Sequence, residues 1–122
     1  LRSIDASEMS HLDPARTFYA HQLRQNPSWP AQALDLLNDN VYVTIDLDVF
    51  DPSVLPATGT PEPGGLGWYD VIELLDMVAR SKRVMGFDIV ELCPMGHPAS
   101  EFVAAKLLYT FLSLIHAHHA WH

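Results

Sequence analysis

Hydrophobic and polar residues alternate most regularly between Val41 and Val49. Val41, Val43, Ile45, Leu47 and Val49 fall on one parity, and Tyr42, Thr44, Asp46 and Asp48 on the other. A period of two with β-branched residues throughout predicts a strand from Val41 to about Asp48. The mostly apolar run from Val84 to Glu91 predicts a second strand, of the kind buried on both faces of a parallel sheet. Between them the pattern turns helical from Trp68 to Arg80, where Val71, Ile72, Leu74, Leu75 and Val78 oppose Glu73, Asp76 and Arg80. A last helix, expected from about Ala99 to His116, is apolar nearly all round. Only Lys106, Thr110 and Ser113 form a polar stripe, so most of it should be buried. Upstream, Asp13-Pro14 reads as an N-cap followed by proline at the first helical position, predicting a helix to Gln25 that Asn26-Pro27 stops. Ser28 to Asn38 repeats the pattern with Pro30, and Leu1 to Ile4 reads as the end of a strand that begins outside this sequence.

From Phe50 to about Gly67 neither period is present. The segment contains Pro52, Pro56, Pro61 and Pro63, with Gly59, Gly64, Gly65 and Gly67. A flexible linker would be richer in serine and charge. Fixed turns are expected instead, and a long ordered loop is usually functional. The order strand, loop, helix, strand, helix is that of a parallel α/β unit. Two clear strands and one possible edge make a poor independent sheet. The chain is therefore expected to be part of a larger α/β domain, or to pack intimately against another chain.

Composition narrows the partners. The chain has 122 residues, enough for one small domain, with 48% hydrophobic and 18% charged residues. Its formal net charge of −8 argues against nucleic acid and against an anionic membrane surface. A metal ion or a cationic small molecule is the more natural ligand. No apolar run is expected to reach transmembrane length, and no signal peptide is expected at the start. A first residue of Leu1 rather than Met suggests a processed chain or a fragment. The single cysteine, Cys93, excludes an intrachain disulfide framework and suits a reducing, cytoplasmic setting.

The candidate chemistry lies at the strand ends. Residues i and i+2 of a strand point the same way, roughly 6.6 Å apart. Two ionised carboxylates about 7 Å apart repel by about 2.4 kcal/mol at an effective dielectric of about 20. Burial would add several kcal/mol per charge unless a cation or water compensates. Asp46 and Asp48 are therefore candidate metal ligands. Ligands of open parallel sheets bind beyond the carboxyl ends of the strands, where Asp88 and Glu91 of the second strand are also expected. All-oxygen ligation by these four carboxylates suits Mg²⁺ or Mn²⁺. The alternative is that strand-end carboxylates are simply solvated or cap helices. A lone Asp-x-Asp also occurs in metal-dependent glycosyltransferases.

Three blocks carry a resemblance: Val43-Thr44-Ile45-Asp46-Leu47-Asp48-Val49-Phe50-Asp51-Pro52, Thr58-Gly59-Thr60-Pro61-Glu62-Pro63-Gly64-Gly65-Leu66, and Gly86-Phe87-Asp88-Ile89-Val90-Glu91. Their sequence and spacing resemble the ureohydrolases, the superfamily of arginase and agmatinase, nearly throughout the chain from Val41 onward. Glu62-Pro63 and Arg2-Ser3 lean toward the agmatinase-like members. The resemblance implies a three-layer α/β/α, arginase-like parallel-sheet domain. It also implies two Mn²⁺ ions per complete site and a cationic guanidino substrate, with agmatine foremost. Arginine, guanidinobutyrate and formimidoylglutamate are the other substrates it allows. Asp46 matches the aspartate that bridges the two metals, and Asp48 matches a ligand of one. Glu91 matches the glutamate that pairs with the guanidinium, and Thr60 a loop threonine beside it. Asp88 matches no metal ligand and takes a supporting or structural role. The implied reaction is attack of a metal-bridging hydroxide on the guanidinium carbon, releasing urea and an amine. A homo-oligomer, trimeric or hexameric, is implied as well.

The departure from the pattern is that no Asp-x-His-x-Asp occurs. The chain therefore reads as the carboxyl-terminal portion of one ureohydrolase domain, residues 1–122, without the amino-terminal portion and inactive alone. A non-catalytic role in assembly is the reading from another class. Several residues stand apart from this chemistry. His116, His118, His119 and His122 read as an exposed helix end favoured by the helix dipole, rather than as a metal trap. His97 reads as a loop residue, Cys93 as a buried inert thiol, and Trp68 and Tyr69 as anchors of a helix start.

Overall fold

The computed structural model describes residues 1–94, 96 and 98–119. His97 and His122, whose roles the sequence leaves at loop and terminus, lie outside the described residues. Two short helices, α1 (Ala20–Leu23) and α2 (Trp29–Asp35), precede β1 (Asn40–Asp46); α3 (Trp68–Ser81), β2 (Arg83–Val90) and α4 (Pro98–His118) follow. The strands pair in parallel, Asn40 opposite Arg83 and Asp46 opposite Val90, with an irregularity after Val41. The α/β class expected from the pattern is the class observed.

The period of two in β1 sets the layers. Val41, Val43 and Ile45 turn to one face, where Val84, Phe87 and Ile89 of β2 join them. Helix α3 brings Val71, Leu75 and Ala79 to this face, α4 brings Leu107, Phe111 and Ile115, and α2 adds Leu34 beside Val41 and Val78. Phe87 and Phe111 meet edge-to-face with centroids 4.8 Å apart, a contact worth about 1 kcal/mol beyond its buried area. The other face carries Tyr42, Thr44 and Asp46, all exposed. Of the three layers expected, this chain supplies the sheet and one helical layer.

Several expectations are corrected. The helix from Pro14 to Gln25 shrinks to Ala20–Leu23. The Asp13 side chain accepts from Ala15 N at 3.0 Å, and Thr17 Oγ1 donates to Asp13 O at 2.8 Å, so local turns compete with the helix. Residues 1–4 form no strand; Leu1 N donates to Phe18 O at 2.8 Å, and Ala20 N donates to Leu1 O at 3.0 Å. Helix α4 is buried on one side only, and Phe102 and Tyr109 are 73% and 71% exposed. It is also, by length and apolarity alone, long enough to cross a membrane, contrary to the expectation that no segment is. A core helix passes the same test, and one stripe of α4 does lie in the core. Trp68 stacks on Phe50 at 6.2 Å as an anchor, whereas Tyr69 is 75% exposed.

Candidate functional site

The first strand ends two residues earlier than its alternation predicts. Asp46 caps a single 3-10 turn, Leu47–Val49, by accepting from Asp48 N at 3.1 Å. A short carboxylate that bonds the backbone two residues on offers the chain a turn in place of the next ladder step. Asp46 and Asp48 are therefore not paired on one strand face as expected. Asp46 closes the strand, and Asp48 projects from the turn after it.

Asp48 is held from two sides. Its Oδ2 accepts from Thr60 Oγ1 at 2.8 Å, and its Oδ1 lies 3.5 Å from Arg2 Nη2. The Arg2 side chain is 12% exposed and that of Asp48 30%, so this ion pair is screened less than a surface one. Arg2 also donates to the Glu62 carbonyl, and Ser3 Oγ donates to Glu62 Oε2 at 2.9 Å. These long-range side-chain contacts were not visible in the sequence, because no periodicity encodes them. The single signal was the Arg2-Ser3 and Glu62-Pro63 resemblance.

The Pro/Gly-rich loop is ordered as expected. Leu66 N donates to Val49 O at 2.8 Å and Asp51 N to Leu66 O at 3.0 Å, which folds the loop back on the end of β1. At Gly65 a Cβ would fall 2.4 Å from Phe50 C and Asp51 N, so the backbones approach too closely for any side chain. Asp51 accepts from Ser53 Oγ at 2.6 Å, Ser53 N at 3.0 Å and Gly64 N at 3.0 Å. The Ser53 hydroxyl first, then the Ser53 and Gly64 N–H groups, hold its carboxyl down to about 2.

The second strand delivers Glu91, one residue past its end, at φ 67°. No other non-glycine residue described has positive φ. Such a conformation costs roughly 1–2 kcal/mol and persists only where neighbours fix it. Here Leu92 bridges to Thr58, and Cys93 N donates to Ala57 O at 2.9 Å. Ala57 N in turn donates to Ser100 Oγ in the first turn of α4 at 3.4 Å. Glu91 Oε2 comes to 3.9 Å from where a Cβ on Gly59 would sit, beside Thr60.

Asp46, Asp48, Thr60 and Glu91 are thus brought to one edge of the sheet. Asp46, Asp48 and Thr60 line a cavity of about 310 Å³ with Arg2, Ser3 and Glu62. The Asp46 carboxyl is raised above its usual range, first by desolvation and further by the negative charges of Asp48 and Glu91, with the Asp48 N–H opposing. Asp88 does not join them: its Oδ2 accepts from Tyr42 Oη at 3.0 Å, and its Oδ1 is buried without a partner. The expected four carboxylates are three. Cys93 is half-buried and free. His118 Nε2 lies 3.1 Å from Asp76 Oδ1 and His119 Nε2 2.8 Å from Lys82 O, so the helix end is tied down rather than free.

Hard carboxylate oxygens drawn together at a partly desolvated edge are a donor set suited to a divalent cation. Among the described residues no group of three His, Cys, Asp or Glu side chains is placed to hold one. Asp46 and Asp48 fit a metal as part of a ligand set that needs further donors.

A profile described as "Arginase family" matches residues 1–113. The N(1)-aminopropylagmatine ureohydrolase of Synechocystis sp. is 42% identical over 97 residues, which cover 78% of this chain and 32% of that protein. The agmatinase of Pyrococcus horikoshii is 49% identical over 80 residues, 64% of this chain and 28% of its own. Among solved structures, the agmatine ureohydrolase of Thermoplasma volcanium superposes with a TM-score of 0.76 at 32% identity, over 93% of this chain and 40% of that one. The chain spans about a third of the length of the curated relatives it matches.

Proposed function

The chain belongs to the arginase family, and from that premise we propose that it supplies part of the active site of a manganese-dependent ureohydrolase. The reading takes the chain as the carboxyl-terminal portion of one domain, completed by an amino-terminal portion that brings the remaining metal ligands. Its substrate is a cationic guanidino compound, agmatine or an aminopropyl derivative of it, yielding urea and an amine. The observation that carries the reading is the gathering of Asp46, Asp48, Thr60 and Glu91 beyond the ends of two adjacent parallel strands. The relatives named agmatinase and aminopropylagmatine ureohydrolase support the choice of substrate. The acidic lining of Asp46, Asp48 and Glu62 beside Arg2 supports a cationic ligand.

Asp46 and Asp48 would hold the metals. A divalent metal bound there would lower the pKa of its water below the roughly 15.7 of bulk water and so supply hydroxide. Thr60 keeps Asp48 in one orientation through its hydroxyl. Glu91 accepts N–H groups of the guanidinium and offsets its charge while the carbon becomes tetrahedral. The C–N bond to the amine tail would then break with its electron pair going to the tail nitrogen, which takes the proton carried in on the attacking hydroxide oxygen, leaving urea and a neutral amine. Assay of urea release from agmatine by the full-length protein with Mn²⁺ tests this. Glu91→Gln is expected to lower kcat/KM by about a hundredfold or more, and unchanged kcat/KM removes Glu91 from the site.

A further inference from the structure

Asp48 leaves the sheet on a single 3-10 turn, Leu47–Val49, so no strand ladder holds it. Its orientation depends on the Thr60 hydroxyl, which donates to Oδ2 at 2.8 Å. Thr60 in turn lies in a stretch that cannot fasten itself. Pro61 and Pro63 have no N–H to give, and residues 59–63 make no backbone–backbone hydrogen bond among the described residues. The loop is tied on either side of them, where Thr58 bridges to Leu92 and Gly64 N donates to Asp51 Oδ2 at 3.0 Å. Between those ties two further fastenings come from far away in the chain. Arg2 donates to the Glu62 carbonyl, and Ser3 Oγ donates to Glu62 Oε2 at 2.9 Å.

We propose that Arg2 is a positioning residue, a brace that keeps Asp48 and the Thr60–Glu62 segment at a fixed separation; this rests on the reading of the metal site given above. Two nitrogens of one planar group span the gap. Nη1 donates to Glu62 O, while Nη2 lies 3.5 Å from Asp48 Oδ1. A guanidinium holds its donors in a rigid fork, whereas a lysine ammonium is a point charge on a flexible stem. The base of the brace is fixed as well, because Ala20 N at the start of α1 donates to Leu1 O at 3.0 Å. A cation that only offset the charge of Asp48 could do so from solvent. The Arg2 side chain is instead 12% exposed, and so much lost hydration is offset only by contacts that stay in place. Loop position and ligand orientation are therefore set together by one side chain.

Calorimetric titration of Mn²⁺ into the full-length protein tests the brace, with Arg2→Lys as the variant that keeps the charge and loses the fork. Arg2→Lys is expected to weaken Mn²⁺ binding by about tenfold, with far-UV circular dichroism unchanged. Arg2 and Thr60 act on the same carboxylate. Arg2→Lys combined with Thr60→Val should thus bind only about two- to threefold more weakly than Thr60→Val alone, short of the roughly tenfold further loss that independent effects would give. At saturating Mn²⁺, kcat should fall by about tenfold. The KM for agmatine should stay within about twofold of wild type, since the brace acts through Asp48 and not on the substrate. Wild-type affinity in Arg2→Lys reduces Arg2 to a counter-charge and overturns the proposal. So do fully independent effects of the two substitutions, or a raised KM with Mn²⁺ binding unchanged, which would put Arg2 on the substrate. The titration reads the brace whether or not urea is released. Bound Mn²⁺ without urea release overturns the hydrolase reading alone.

Discussion

Asp48 makes two contacts that separate charge from orientation. Arg2 offsets its negative charge, and Thr60 fixes its rotamer through one hydroxyl. Removing that hydroxyl leaves a partly buried carboxylate oxygen short of a donor, at a cost of about 1–3 kcal/mol. Thr60→Val is therefore expected to weaken metal binding in the full-length protein by about tenfold, with Thr60→Ser close to wild type. Titration of Mn²⁺ by calorimetry reads this, and equal affinities for the two variants would show that the hydroxyl does not orient Asp48. Asp51 is the corresponding anchor of the loop. Its folded pKa of about 2 lies below the ordinary carboxylate value. Its contribution to stability is therefore complete above about pH 4, and is lost as pH falls through 2. Melting temperatures measured from pH 5 to pH 2 should fall more steeply for wild type than for Asp51→Ala, which lacks the group. Parallel curves would contradict this.

The elements were legible to different degrees. Strand β1 and helix α3 followed from periods of two and 3.6, because a face of each is buried and burial is what periodicity records; β2 followed from its apolar run, but it is not buried on both faces as expected, since Met85 is 63% exposed. The places of Asp46 and Glu91 at the strand ends were legible from the pattern, and Asp48 and Thr60 were drawn toward them only by the resemblance of three blocks. The turn after Asp46 was not legible, since alternation continues through Leu47 and Val49 while the Asp46 side chain redirects the backbone. Nor was the helix before Gln25, because Leu1 claims the backbone of Phe18 and Ala20 from far away in sequence. Strand-end position alone does not separate Asp88 from Glu91; the Tyr42 hydroxyl, which donates to Asp88 at 3.0 Å, does. The left-handed backbone of Glu91 had no sequence signal, as residues of that type rarely adopt it. This strain allows a prediction for the end of β2. Glu91→Gly relieves about 1–2 kcal/mol of backbone strain and costs about 1 kcal/mol of chain entropy. Stability by denaturant titration should rise by up to about 1 kcal/mol, while urea release is lost. A clear loss of stability would show that the carboxylate itself holds the strand end.

At the scale of the whole molecule, the chain is one helical layer on a two-stranded parallel sheet, with the other face of the sheet open and two aspartates and one glutamate gathered at one edge. That is consistent with a chain spanning about a third of its relatives. The bare face, the unpaired Asp88 Oδ1 and the incomplete ligand set are explained together if the remaining ligands arrive on additional chain that packs over Tyr42, Thr44 and Asp88. The central claim is that Asp46 and Asp48 belong to a metal site that works together with Glu91. The most direct test is the manganese content of the full-length protein, by atomic absorption after dialysis, for wild type and Asp46→Asn. The account predicts two equivalents per chain in wild type, and loss of both metal and urea release in Asp46→Asn, with the fold intact by circular dichroism. An Asp46→Asn protein that keeps two manganese ions and wild-type urea release would contradict it.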